Sequence, residues 1–242
     1  MEQALQDKRI LVLGGTSGLG KQISVQSLVA GANVTVIGRN KTRLNKAVRD
    51  LNVVSPQVTG ESFDVSDQRA FKQFLNGTTK FDHIVSMLGG AMGGGFLSSS
   101  VAEIRAAIEQ KFFVNLIIAQ TVVPYLNEYG SLIFTGGAGG HPYDASGAII
   151  GNQAIKTMVE GLAVEAAPKI RVNAVAPTWT PTGLWRELDQ QNLKANEVGM
   201  ISQIPLKRVS KPQEVASAYL FLMQNKFVTG QVINVDGGIS VN

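Results

Sequence analysis

The sequence predicts an α/β fold: a doubly wound parallel sheet with helices on both faces, built as a single domain. Three observations carry this reading. Near the start of the chain the apolar run Ile10-Leu-Val-Leu13 enters a turn holding Gly14, Gly15, Gly18 and Gly20, and an amphipathic segment, Lys21 to Ala30, follows at once. Along the rest of the chain, short apolar runs alternate with segments of helical period. Finally, 242 residues of which 44% are hydrophobic suffice for one such domain, and neither a linker nor an internal repeat divides them.

The elements follow in order. A buried strand, a glycine turn and a helix make a receptor for a phosphate-bearing nucleotide. Glycines let the backbone turn sharply and approach a pyrophosphate with no Cβ in the way. The helix that starts there aims unpaired N–H groups and the positive end of its dipole at the anion. Gly31 stops that helix, and Asn33 to Gly38 reads as a second buried strand. Lys41 to Leu51 has a charged helical pattern. Val58 to Phe63 is a third strand closing on Asp64-Val65, after which Ser66 or Asp67 caps a helix reaching Leu75. Phe81 to Leu88 is a fourth strand that ends in the glycine-rich stretch Gly89 to Gly95. Val101 to Leu126 holds one or two helices. Its part Phe112-Phe-Val-Asn-Leu-Ile-Ile-Ala119 is apolar nearly all round and is expected to be buried on several sides.

Ser131 to Thr135 is a fifth strand, followed by Gly136 to Gly140. Gly147 to Ala167 is a long helix broken at Pro168, and Ile170 to Ala176 is a sixth strand stopped by Pro177. Thr182 to Leu206 is polar and poorly periodic, which predicts a mobile substrate flap over 182–206. Pro212 to Gln224 is a helix, and Gln231 to Val235 is the last strand. Strands alternating with helices at this pitch give a parallel sheet covered on both faces.

Composition narrows the function classes. The formal net charge of +4 is scattered, whereas a nucleic-acid-binding face needs clustered basic residues. With no cysteine, disulfides, thiolate catalysis and Cys-ligated zinc are excluded, and no metal site is expected. No stretch approaches about 18 uninterrupted apolar residues, and Met1 to Asp7 lacks the make-up of a signal peptide. The expectation is a cytoplasmic protein that acts on a small molecule, with neither nucleic acid nor membrane as partner.

Leu13-Gly-Gly-Thr-Ser-Gly-Leu-Gly20, Asp64-Val65, Asn115 within Phe113-Val-Asn-Leu116, Arg171-Val-Asn-Ala-Val-Ala-Pro177, Thr182 and Gly230-Gln-Val-Ile-Asn-Val-Asp-Gly-Gly238 occur in one order along the chain. Together they resemble the short-chain dehydrogenase/reductase family over essentially the full length. The family's turn reads Thr-Gly-x-x-x-Gly-x-Gly, so only the opening Thr is replaced here. The resemblance implies a Rossmann-like nicotinamide-nucleotide domain. Gly14, Thr16, Ser17, Gly18, Leu19 and Gly20 would meet the pyrophosphate, and Asp64 and Val65 the adenine. Leu88, Gly89 and Gly90 would line the site, with Pro177, Thr178, Trp179, Thr180 and Thr182 at the nicotinamide end. Trp185 would line the flap. The helices around Asn115 and from Gly147 resemble those the family pairs between subunits, which implies a homo-oligomer, dimer or tetramer.

At the end of the second strand, members that prefer NAD place an acidic residue on the adenosine ribose. Gly38-Arg39-Asn40 stands there instead. A carboxylate would repel a 2′-phosphate, whereas Arg39 can pair with it through charge-assisted hydrogen bonds, with Asn40 beside it and Arg43 as a second contact. The cofactor expected is therefore NADP(H).

The family's proton chemistry is expected from a Tyr whose phenol is acidified by a Lys one turn later, with a Ser orienting the carbonyl and the helix Asn organising a proton path. The Tyr-x-x-x-Lys signature is missing: no Tyr in the sequence stands four residues before a Lys. Counting back along an unbroken helix puts Ala148 at the Tyr position and Asn152 at the Lys position, with Gly137 or Gly136 at the Ser position. Of the four usual residues, Asn115 remains. A second register, Tyr143-Asp-Ala-Ser-Gly147, would require an insertion within the helix, which changes the face of every side chain. The candidate catalytic residues are Asn115, Asn152, Tyr143, His141 and Thr135. Lys156 shares a helical face with Asn152 and reads as an exposed or interface charge. The function expected is an NADP(H)-binding oxidoreductase with an atypical active site, transferring hydride to or from a small carbonyl or alcohol substrate. The alternative is a catalytically inactive NADP(H)-binding sensor or assembly subunit.

Overall fold

The computed structural model describes residues 4–90, 92–185 and 189–242. Seven strands form one parallel sheet: β1 (Arg9–Leu13), β2 (Asn33–Ile37), β3 (Val58–Glu61), β4 (Phe81–Ser86), β5 (Leu126–Thr135), β6 (Ile170–Pro177) and β7 (Val232–Val235), in the order β3-β2-β1-β4-β5-β6-β7. Parallel strands need crossovers, and eight α-helices appear among the described residues: α1 (Gly18–Val29), α2 (Lys41–Asn52), α3 (Gln68–Asn76), α4 (Val101–Ile108), α5 (Val114–Val122), α6 (Ser146–Glu165), α7 (Gln190–Gln203) and α8 (Pro212–Gln224).

Alternate residues of β1 serve two cores. Leu11 and Leu13 pack with Phe71, Ile118, Ile155 and Val159 on the face covered by α3, α5 and α6. Ile10 and Val12 pack with Ile23, Leu44, Val215 and Tyr219 on the face covered by α1, α2 and α8. Strand residues buried on both faces explain the continuous apolar runs. Chain order reverses between β1, which pairs with β2 on one side, and β4 on the other. A crevice opens at such a switch point beyond the carboxyl ends of the strands.

Between α4 and α5 the helix makes one wide turn, Glu109–Phe113, in which the Val114 N–H bonds the Glu109 carbonyl. The whole run Val101–Tyr125 is long and apolar enough to cross a membrane by length and composition. Within it, Asn115, Ile118, Ala119 and Val122 of α5 are buried, while α4 buries no residue.

Three expectations are corrected. The 182–206 segment, read as poorly periodic, contains a short turn of helix, Gly183–Trp185, and then α7. Asp189 caps α7 by accepting from the Asn192 N–H at 2.8 Å, and no residue of the helix is buried, so an apolar period was absent to read. β5 begins at Leu126, five residues early, because the polar Asn127-Glu-Tyr-Gly130 pairs irregularly beside β4. β3 and β4 end sooner than expected, at Glu61 and Ser86. Arg186, Glu187 and Leu188 of the expected flap, Ala91 of the glycine-rich loop, and Met1, Glu2 and Gln3 lie outside the described residues.

Candidate functional site

The glycine turn sits at the carboxyl end of β1, at the switch point. Gly14 has φ +86° and Gly18 φ +54°, the left-handed region that a side chain resists. A Cβ on Gly20 would collide with the Gly14 carbonyl oxygen, so the turn closes only on glycine. α1 begins with no acidic residue in its first turn, leaving its positive end available to an anion.

Two cavities meet over this turn and share Gly14, Ser17, Met87, Leu88 and Gly89. The first, of about 720 Å³, lies beyond β2 and β3 and is lined by Thr16, Arg39, Asn40, Arg43, Asp64 and Val65 among others. Asn40 caps α2, accepting from the Arg43 N–H at 2.9 Å, and so fixes the start of the helix that carries Arg43. Asp64 accepts from the Ser66 N–H at 2.9 Å and its hydroxyl at 2.8 Å. Those bonds, from the backbone first, together with Arg39, hold its carboxyl below the usual range. The Arg39 guanidinium stands 3.6 Å from Asp64, with side-chain exposures of 80% and 44%.

The second cavity, of about 450 Å³, lies beyond β4, β5 and β6. Gly18, Leu19, Gly20 and Gly90 line it, as do Pro177, Thr178, Trp179, Thr180 and Thr182. All the sequence-predicted cofactor residues therefore line one cavity or the other. Trp179 is buried and stacks on Trp185, their rings 5.8 Å apart and 25° from parallel, while the Trp185 indole donates to the Thr180 carbonyl at 3.0 Å. Thr182 abuts Gly18, where a Cβ would come within 3.1 Å of it.

Asn115 is fully buried on α5 and knits the cavity floor. It accepts from the Ser86 hydroxyl at 2.6 Å and donates to the carbonyls of Lys111 at 2.6 Å and Leu88 at 3.3 Å. Thr135 lines the cavity, yet its hydroxyl bonds the Ser86 carbonyl and the Tyr219 hydroxyl, both at 2.8 Å. α6 runs unbroken from Ser146, placing Ala148 and Asn152 on the cavity wall. Gly137 lies against Asn152, whose amide nitrogen would be 2.8 Å from a Cβ there.

His141 and Tyr143 are not brought to this cavity. The Asp144 carboxylate accepts from the His141 N–H at 2.7 Å, closing a tight turn before α6. The two rings stack on each other with centroids 5.0 Å apart, both exposed, Tyr143 at 73%. Lys156 is exposed on α6.

A family model described as enoyl-(acyl carrier protein) reductase matches residues 14–240. A tropinone reductase homologue of Arabidopsis thaliana is 32% identical, the match covering 99% of this chain and 94% of the relative. A short-chain dehydrogenase/reductase of Gibberella fujikuroi is 30% identical over 97% of this chain and 95% of its own. The chain belongs to the short-chain dehydrogenase/reductase family. The crystal structure of a small-chain dehydrogenase in complex with NADPH has a TM-score of 0.81 against it at 27% identity, covering 98% of this chain and 100% of that one.

Within this short-chain dehydrogenase/reductase, Lys111 is a cavity residue that the sequence pattern did not single out. Lys111 is 7% exposed, lines the second cavity and donates from Nζ to the Gly136 carbonyl at 3.2 Å. Burial pushes its ammonium down to about 8. A signal was present: Lys111 stands four residues before Asn115, hence on the same helical face, at the edge of the apolar stretch expected to be buried.

Proposed function

We propose that the protein is an NADP(H)-dependent oxidoreductase that moves hydride to or from a small carbonyl or alcohol substrate. Gly137, Ala148 and Asn152 stand where the family's Ser, Tyr and Lys are expected. The observation that carries this reading is the pair of joined cavities, with a glycine turn at their junction and Arg39 at the mouth of the first.

The residues fit such a dinucleotide. Among the described residues, Asn152 Oδ1, Thr178 Oγ1 and Trp179 Nε1 are buried without a hydrogen-bond partner, and all three residues line the second cavity. An acceptor, a hydroxyl and an N–H donor left unpaired together suit the ribose hydroxyls and the carboxamide of a nicotinamide riboside. Arg39 would exchange its exposed contact with Asp64 for the 2′-phosphate, with Arg43 beside it. When bound, the reduced nicotinamide supplies a hydride to a carbonyl carbon. Trp179 and Trp185 exclude water from that end of the cavity, and Asn115 holds the β4 loop beneath it.

The second reading, a nucleotide-binding sensor, is favoured by one observation: no tyrosine or histidine reaches the second cavity among the described residues. Fluorescence titration with NADPH and NADH, followed by NADPH oxidation against a panel of aldehydes and ketones, tests both. Tighter binding of NADPH with turnover of a panel member is expected. Failure to bind either nucleotide overturns the proposal, and binding without turnover selects the sensor.

A further inference from the structure

Lys111 is the one titratable side chain among the described residues lining the second cavity. Its bond to the Gly136 carbonyl uses one of three N–H groups. No carboxylate pairs with it among the described residues. The elements packed round it present Gly89 beyond β4, Gly136 beyond β5 and Gly151 of α6, none of them charged. The close approach is built in. A Cβ on Gly151 would lie 2.8 Å from Lys111 Cβ and Cγ, and one on Gly89 would lie 2.6 Å from Cδ and 3.1 Å from Nζ.

A neutral donor would serve a loop carbonyl equally well, without the cost of an unpaired cation in an apolar setting. Such a cost is retained where a site uses the charge. Lys111 also belongs to the wide turn Glu109–Phe113, and wide turns within helices gather at functional sites.

We propose that Lys111 is the catalytic acid of this protein, reaching the substrate oxygen from the helix of Asn115 rather than from α6. The proposal rests on the oxidoreductase reading above. As the carbonyl carbon accepts a hydride from the dihydronicotinamide, the C=O π pair moves to oxygen. One Nζ–H bond breaks and its proton forms the new O–H bond, so the ammonium becomes an amine and the product a neutral alcohol. The amine then takes up a proton from solvent. In alcohol oxidation the amine accepts the hydroxyl proton. An ammonium held down to about 8 can give and regain a proton near neutral pH.

Lys111→Gln keeps a donor for Gly136 but has no proton to give, and Lys111→Met keeps the packing. The test measures NADPH affinity by fluorescence, kcat against diacetyl, benzil and isatin as carbonyl probes, and the Lys111 Hε–Cε resonance of the ligand-free protein against pH. Both variants should bind NADPH within about threefold of wild type and lose about 100-fold or more in kcat. The wild-type rate of reduction should fall above about pH 8, with the resonance titrating near the same value rather than at the ordinary 10.5. Wild-type kcat in Lys111→Gln, or a resonance titrating at the ordinary value, overturns the assignment. NADPH binding with no probe reduced at any pH overturns it too, while leaving the nucleotide site standing. Absence of NADPH binding overturns the underlying reading first.

Discussion

Arg39→Asp is the perturbation whose outcome follows most directly from the geometry. The guanidinium stands 3.6 Å from Asp64 but is 80% exposed, so that contact is worth under about 1 kcal/mol and is easily given up. Charge-assisted bonds to a phosphate at the same place contribute about 1.5–3 kcal/mol, leaving a net gain of about 1–2. Arg39→Ala should therefore weaken NADPH binding by about tenfold and leave NADH nearly unchanged. Aspartate adds repulsion: a carboxylate about 6 Å from a doubly charged phosphate costs about 1.4 kcal/mol in water, roughly halved by physiological salt. It also gains an acceptor for ribose hydroxyls, worth about 1 kcal/mol. The NADPH/NADH affinity ratio should thus swing by about 100-fold or more. Nucleotide fluorescence titrations at low and high salt measure it, and salt should weaken NADPH more than NADH in the wild type. An unchanged ratio in Arg39→Asp refutes the reasoning, because it would mean that no phosphate lies within reach of this side chain.

Other expectations address the frame of the site. Gly20→Ala drives a methyl into the Gly14 carbonyl and should cost about 1–3 kcal/mol of stability along with nucleotide affinity; an unaltered melt and titration would contradict that packing. His83 is buried against the Ser131 hydroxyl at 2.9 Å, and burial holds it down to about 4 from an ordinary 6.5. The unfolded chain then binds the extra proton first, so stability present above pH 6.5 should fall by up to about 3 kcal/mol as pH drops through about 4. Denaturant melts across that window should show the fall in wild type and lose much of it in His83→Asn. For Lys111, held below its ordinary 10.5, the same linkage makes the charged form a burden at neutral pH. Lys111→Met should be more stable than wild type by about 1–3 kcal/mol at pH 7, the gain vanishing toward pH 10.5; a pH-independent difference would contradict it.

Much of the fold is legible because burial and sequence pattern coincide. β1 is buried nearly throughout and reads as an apolar run from Ile10 to Leu13, and Asn40 and Asp67 cap helices where their side chains find backbone N–H groups. Legibility fails where that coincidence ends. α7 buries no residue, so its sequence carries no stripe, and the first half of β5 is polar and irregularly paired. The chemistry divides in the same way. Residues that act through backbone shape, such as Gly14 and Gly18, announce themselves by type. His141 and Tyr143 carry the right chemical groups, but a tight turn fixed by Asp144 sends their rings outward, and a turn made by one side-chain bond is hard to foresee. Lys111 is the converse case. A lysine reads as surface unless its neighbours on other elements are known.

Those neighbours explain why a cation can enter the cavity from this helix. On α6, Gly151 faces the Lys111 stem, and its missing side chain opens the channel through which that stem passes. Gly89, with φ +129°, leaves room for the ammonium at the junction of the two cavities. Asn115 then bonds the Lys111 carbonyl, fixing the wide turn from which the side chain departs. Under the proposed assignment, an uncharged residue at 152 and a lysine at 111 go together. A lysine on α6 at 152 and a lysine at 111 would place two ammonium groups in one small cavity, each raising the cost of charging the other. If the cation enters from the neighbouring helix as proposed, an uncharged residue is expected on α6, and Asn152 meets that expectation.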